Sequence, residues 1–252
     1  KLFYKDKLVE SFESEGFIIK AMVEREVKDR FPISYPMLWS VDDPELYRIE
    51  SLIKCQGKII DKVTTDYGFR YFTAAASRGF FLNGEPIKIK AVCLHHDQGA
   101  LGAADYYRAI LRQVQLMKDM GANALRITHN PGSKKLIDIA NKEGILLIEE
   151  IFDGWILDKN NNYNDYSRYF AQKVGESQLI NATCNMTWAE FDLKETLRRD
   201  YNAPSIIAYS LGNELLCGTN QTRSKEYPGL ARDLIEWARE IDQKRFLTIG
   251  DN

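Results

Sequence analysis

The sequence predicts an α/β fold in which a short antiparallel β region precedes about five strands of a partial (β/α)8 TIM barrel. Three observations carry this expectation. Up to about Phe72, apolar residues come in short two-periodic or mixed runs separated by turn signals. From Gly84 onward, strand-like apolar runs alternate with amphipathic helical stripes or long loops, the pattern of a parallel sheet built from strand-helix units. Polar and titratable residues also gather where the predicted strands end, as they do at the C-terminal mouth of a barrel.

The β region contains candidate strands over Gly16 to Ala21, Leu46 to Leu52 and Lys58 to Thr64. Tyr35-Pro36, Asp42-Asp43-Pro44 and Gln56-Gly57 punctuate them. Barrel strands are predicted over Ile87 to Val92, Ala124 to Ile127, Ile145 to Ile148, Ile206 to Leu211 and Phe246 to Ile249. One intervening helix puts Tyr107, Ile110, Val114 and Met117 on a single stripe and stops at Gly121. A second runs from about Lys134 to Gly144, and a third lies near Phe191 to Arg199.

The residues at the strand ends are His95, His96 and Asp97 after the first and Arg126, Thr128, His129 and Asn130 at the second. Glu149, Glu150 and Asp153 follow the third, and Asn213 and Glu214 the fourth. All three histidines of the chain lie at these ends. A doubly wound dinucleotide fold would place GxGxxG after its first strand, where this chain has Val92-Cys93-Leu94-His95-His96-Asp97. Glu149 and Glu150 are adjacent on one strand and so point to opposite sides, which stops them from facing one substrate as a pair.

Composition narrows the partners. The 34 basic and 36 acidic residues leave a net charge of -2, which supplies no field to gather nucleic acid or an anionic membrane. The apolar runs fall well short of the roughly 20 residues of a membrane span, and no signal-sequence pattern opens the chain. The compartment stays open between periplasmic, secreted and cytoplasmic. Cys55, Cys93, Cys184 and Cys217 show no CxxC spacing and are expected as buried free thiols. Neither cofactor nor metal is expected. Asn181, Asn185 and Asn220 head NxT triplets, which occur by chance in a chain of this length.

Several ordered motifs together resemble glycoside hydrolase family 2, the group of β-galactosidases, β-glucuronidases and β-mannosidases. They are Met37-Leu38-Trp39-Ser40, Pro44-Glu45-Leu46-Tyr47, Tyr67-Gly68-Phe69-Arg70, Gly79 to Gly84, Leu94-His95-His96-Asp97, Asn123 to Pro131, Asn202-Ala203-Pro204-Ser205 and Leu211-Gly212-Asn213-Glu214. The resemblance implies a partial immunoglobulin-like β-sandwich over residues 1–73 and the N-terminal half of a TIM-barrel catalytic domain over 74–252. It also implies a carbohydrate substrate, most plausibly a β-galactoside, and retaining hydrolysis by two carboxyl groups.

Under that resemblance Glu214 is the acid/base, with a pKa expected to rise through burial and an anionic partner. Asn213 matches the residue that bonds the sugar 2-hydroxyl. His95 and His129 match pocket positions, and Arg126 an interior arginine that positions the acidic groups. Asp153 and Trp155 are candidates for binding and stacking on a sugar, though a loop tryptophan as often simply packs. His96 either backs the pocket or faces solvent. The bland alternatives are a capping or ion-paired Glu214 and a turn-forming Asn213.

The family nucleophile lies later in the barrel than Asn252, so the second carboxylate is expected outside this chain. The segment alone is expected to be inactive and to need the remaining barrel segments or an oligomer partner. Two rival classes remain. One is a non-catalytic carbohydrate-binding fragment. The other is a metal-dependent barrel hydrolase using His95, His96, Asp97, His129 and Glu214, which the divergence of neighbouring side chains on a strand disfavours.

Overall fold

The computed structural model describes residues 1–159, 162, 164–215 and 223–250. Cys217, Asn220 and the last two residues lie outside them, as does part of Lys159 to Asp165, a polar run whose composition predicts a solvated loop on the mouth side.

In the first part, β1 (Leu2–Tyr4), β2 (Lys7–Glu10), β3 (Tyr47–Cys55) and β4 (Lys58–Tyr67) form an antiparallel sheet in the order β2-β1-β3-β4. A small antiparallel sheet follows, made of β5 (Phe72–Ala75), β6 (Gly79–Leu82) and β7 (Glu85–Pro86). Three hairpins turn on two residues at positive φ: Lys5-Asp6, Gln56-Gly57 and Asn83-Gly84. That backbone twist matches the right-handed twist of the flanking strands.

The barrel portion runs β8 (Ala91–His95), α1 (Tyr107–Asp119), β9 (Ala124–Thr128), α2 (Lys134–Glu143), β10 (Leu146–Glu150), α3 (Ser167–Phe170), α4 (Trp188–Asp200), β11 (Ile206–Asn213), α5 (Tyr227–Ile241) and β12 (Phe246–Gly250). These five strands lie parallel in chain order. Sequential parallel order is what successive crossover units give when they curl into a barrel wall. Local chemistry sets the helix ends. Ser133 Oγ accepts from Leu136 N–H to cap α2, and Thr187 Oγ1 accepts from Glu190 N–H to cap α4. Gly144 closes α2 at φ +67°.

The main core lies between the outer sheet face and the helices. Leu125, Ile127, Leu147, Tyr209 and Leu211 meet Val114, Ile137, Ala140, Leu193, Leu197 and Leu234 there, each fully buried large aliphatic side chain contributing about 1.5–3 kcal/mol. A second cluster around Trp39 closes the N-terminal end of the barrel wall, with Leu82, Ala124, Leu146, Ile207 and Ala208. Trp39 Nε1 donates to the Asn141 carbonyl at 2.8 Å. Arg70 donates to the carbonyls of Pro204 and Ile206 at 2.8 and 2.7 Å, tying the segment after β4 to the start of β11. This is the structural use of Tyr67-Gly68-Phe69-Arg70. At Gly68 a Cβ would come within 2.7 Å of Pro204 and 2.9 Å of Trp39.

Several expectations need correction. Gly16 to Ala21 is not a strand. Its apolar side chains Phe17, Ile18 and Ile19 are exposed, Ile18 at 92%. The first barrel strand starts at Ala91 rather than Ile87. Its register pairs Ala91 with Ala124, and the Asn123 side chain has already taken the Lys88 carbonyl and the Lys90 N–H. The described cysteines Cys55, Cys93 and Cys184 are exposed free thiols, not buried ones. Cys93 pairs in register with Arg126 and so faces the barrel interior, which the five described strands leave open on one side. No helix among the described residues is long and apolar enough to cross a membrane.

Candidate active site

Strand parity builds the site. Arg126 on β9, Glu150 on β10 and Ser210 on β11 all project to the inner side of the sheet, where they meet. Glu150, at 0% exposure, is the hub. Its Oε2 accepts from Arg126 Nη2 at 2.8 Å, from Arg126 Nε at 3.2 Å and from Ser210 Oγ at 2.7 Å. Its Oε1 lies 2.6 Å from His129 Nδ1. A carboxylate at that nitrogen places the proton on Nδ1 and fixes the ring. The His129 ring meets that of His95 edge-on at 5.3 Å between centroids.

Arg126 extends the network to β11, where its Nη2 donates to Asn213 Oδ1 at 2.8 Å. Asn213 Nδ2 donates to Asp153 Oδ1 at 3.1 Å, so the orientation of this amide is set from both ends. Asp153 also accepts from Lys159 Nζ at 2.7 Å. Partial burial works to raise the Asp153 pKa, but the bonds from Lys159 and Asn213 outweigh it and hold the carboxyl below the usual range.

Glu214 follows directly at φ +44°, with its N–H donating to the Gly250 carbonyl at 2.5 Å. The burial expected for Glu214 is not found. Asn213 is the last residue of β11, so Glu214 stands past the rim of the sheet and is exposed. Gly250 is needed beside it, because a Cβ there would lie 2.4 Å from Arg126 Nη2.

The structure therefore gathers Arg126, His129, Asp153 and Asn213 into one bonded array, with His95 against His129. Trp155 is corrected to the packing role. It is 1% exposed, its Nε1 donates to the Leu211 carbonyl at 2.7 Å, and it wedges against Tyr227 and Phe170 beneath the mouth. Gly212 gives it room, since a Cβ there would come within 3.0 Å of the indole nitrogen. His96 is exposed and bonds the Asn130 carbonyl at 3.2 Å. Asp97 is engaged in its own turn, accepting from Gly99 N–H. Among the described residues, no three His, Cys, Asp or Glu side chains converge as metal ligands.

Sequence reasoning named Glu150 only as a strand-end residue that cannot pair with Glu149, placed Lys159 only in a polar loop, and gave Ser210 no role. Glu150 and Ser210 carry a readable signal, since they share strand parity with Arg126. Glu149 points the other way, toward α4, where Arg199 Nη2 lies 3.1 Å from its Oε1. Burial, and then the Asp200 carboxyl, push the Glu149 pKa well up against the opposing pull of Arg199. Glu149 Oε2, Asp200 Oδ1 and Tyr209 Oη are buried and find no hydrogen-bond partner among the described residues.

Comparison with known proteins agrees with this architecture. Residues 74–252 match the TIM barrel domain of glycosyl hydrolases family 2, and residues 4–70 match a second domain of glycosyl hydrolases family 2. Beta-galactosidase BoGH2A of Bacteroides ovatus is 39% identical over 184 residues, which are 73% of this chain and 20% of that protein. The crystal structure of a glycosyl hydrolase family 2 member from Bacteroides cellulosilyticus superposes with a TM-score of 0.75 at 34% identity, covering 86% of this chain and 25% of that one. Beta-glucuronidase 2 of Bacteroides uniformis, covalently bound to cyclophellitol-6-carboxylate aziridine, gives 0.68 at 30% identity, covering 85% and 24%. The chain thus spans about a fifth to a quarter of the length of these relatives. With a strand-end Asn213-Glu214 pair, a barrel wall in sequential order and a family match over most of its length, the chain belongs to glycosyl hydrolases family 2.

Proposed function

We propose that this chain supplies the acid/base half of a retaining β-glycosidase, and that its substrate carries a terminal β-galactosyl group. The observation that carries the reading is the Asn213-Glu214 pair at the end of β11, with the Asn213 amide held between Arg126 and Asp153. With its oxygen on Arg126 and one N–H on Asp153, Asn213 offers its second N–H to a sugar hydroxyl. A bond to the 2-hydroxyl strengthens as positive charge builds at the anomeric carbon. His129, its Nδ1 turned to Glu150, presents Nε2 to another hydroxyl, and His95 beside it forms the same wall.

In the first step the Glu214 carboxyl protonates the glycosidic oxygen while a second carboxylate, from outside residues 1–252, attacks the anomeric carbon. The glycosyl-enzyme bond forms as the aglycone leaves. In the second step the Glu214 carboxylate takes a proton from water, which attacks the same carbon and releases the sugar with its configuration retained. The covalently captured glucuronidase relative supports a covalent course.

The test is hydrolysis of p-nitrophenyl β-galactoside by the complete protein carrying this chain. Glu214→Gln should lower the rate by about 10²–10⁴-fold, and the first sugar product should be the β-anomer by NMR. A first-formed α-anomer, or an unaffected Glu214→Gln rate, refutes the reading. The glucuronidase relative favours a second substrate, a β-glucuronide. Comparing kcat/KM for the two p-nitrophenyl glycosides decides between them.

A further inference from the structure

Lys159 sits in the loop after β10 and contacts the site from a position that neither its sequence surroundings nor the acid/base reading requires. Its side chain is only 14% exposed. The ammonium donates to Asp153 Oδ1 at 2.7 Å and to the main-chain carbonyl of Asn213 at 2.5 Å. An exposed Lys-Asp pair contributes about 0–1 kcal/mol and would deserve no function. This pair is different because its second acceptor is the carbonyl of the peptide that joins Asn213 to Glu214.

That peptide is held on both sides. Its C=O accepts from Lys159, and its N–H donates to the Gly250 carbonyl. Immediately after it Glu214 adopts φ +44°, a left-handed conformation costing about 1–2 kcal/mol for a residue with a Cβ. Such a backbone persists only when its surroundings over-determine it. The carbonyl is held by a point charge that reaches from a different loop. Asp153 in turn fixes that charge and takes the Asn213 amide N–H. The loop is anchored locally, because Lys159 N–H donates to Asp165 Oδ2 at 2.9 Å.

We propose that Lys159 is a positioning residue for the acid/base carboxyl: its ammonium clamps the Asn213-Glu214 peptide and so sets the direction in which Glu214 leaves the strand. This rests on the reading of Glu214 as the acid. Removing the clamp leaves the nucleophilic attack intact and misplaces the proton donor. The damage must therefore scale with how much the leaving group needs protonation.

The experiment uses the complete protein and a series of aryl β-glycosides, from 2,4-dinitrophenyl, which departs unprotonated, to phenyl, which requires the acid. For Lys159→Met, kcat/KM should fall about 10- to 100-fold on the phenyl glycoside and stay within about 2-fold on the dinitrophenyl glycoside. Lys159→Arg should recover part of the phenyl rate. An equal loss across the series overturns the proposal and makes Lys159 a sugar-binding or stabilising residue, as does a phenyl rate that Lys159→Met leaves unchanged. If Lys159→Met fails to fold, Lys159→Gln carries the same comparison. Glu214→Gln run in parallel separates the two claims. If it shows no leaving-group dependence, the acid/base reading fails and the proposal with it. If it shows the dependence and Lys159→Met does not, only the proposal fails.

Discussion

Gly250→Ala isolates the arginine that organises the site. Gly250 pairs with Asn213 in the β11-β12 ladder, and its φ is not among the positive ones, so alanine meets no conformational penalty. Within a strand the exchange by itself stabilises by about 0.5–1 kcal/mol. The new Cβ would lie 2.4 Å from Arg126 Nη2, and ordinary contact requires about 1 Å more. Moving Nη2 that far breaks its 2.8 Å bonds to Glu150 Oε2 and to Asn213 Oδ1. Hydrogen bonds to charged groups contribute about 1.5–3 kcal/mol each. Because Arg126 Nε keeps Glu150 in reach at 3.2 Å, the net loss should be about 1.5–3 kcal/mol.

A 1 Å displacement of a positioning group costs on the order of 10²-fold in rate. Gly250→Ala in the complete protein should thus lower kcat/KM on an aryl β-glycoside by about that factor, together with a lower thermal midpoint. The control is a double-mutant cycle. In an Arg126→Met background the atom that clashes is gone, and Gly250→Ala should cost less than about 0.5 kcal/mol. A Gly250→Ala protein with parental kcat/KM and midpoint, or one whose cost is the same in both backgrounds, would falsify the assignment of Arg126 as the hinge between Glu150 and Asn213.

Three further outcomes are expected. Gly144→Ala should destabilise by about 2–4 kcal/mol, because alanine at φ +67° is strained and its Cβ would stand 2.4 Å from the Val41 carbonyl oxygen. Gly57→Ala, at φ +78° with nothing within 4 Å, meets only the strain and should cost about 1 kcal/mol, so equal midpoints for the two variants contradict the clash. Glu149 has a folded pKa raised by burial and by Asp200. Its contribution to stability is therefore full below about pH 4.3, the ordinary glutamate value, and is lost as pH rises toward the folded value. Glu149→Gln should accordingly raise the thermal midpoint more at pH 8 than at pH 5, and a pH-independent change contradicts the buried, proton-holding role. Trp155→Phe should lower the midpoint, since the Leu211 carbonyl loses its 2.7 Å donor at about 1–3 kcal/mol, and leave KM within about 2-fold. A large rise in KM would return Trp155 to the sugar.

Much of the barrel was legible because its signal is local. Ser133 and Gly144 bracket α2 as cap chemistry requires, and the apolar runs at Ala124, Ile206 and Phe246 fall within β9, β11 and β12. Elements that depend on a partner were less legible. Gly16 to Ala21 has a strand-like pattern and pairs with no strand among the described residues. The start of β8 is decided by its register against β9 and by the reach of the Asn123 side chain.

By itself the sequence determined the class of fold, the family and the strand-end position of Asn213-Glu214, since periodicity, turn residues and ordered motifs all reside in neighbouring positions. Only the tertiary structure decided that Glu150 is the buried hub and Glu149 faces the helices. It also decided that Trp155 belongs to the core, and that Lys159 reaches the peptide preceding Glu214. The physical reason is common to all four. Each depends on which groups from distant strands and loops come within about 3 Å, the range of a hydrogen bond, and burial then makes those contacts strong.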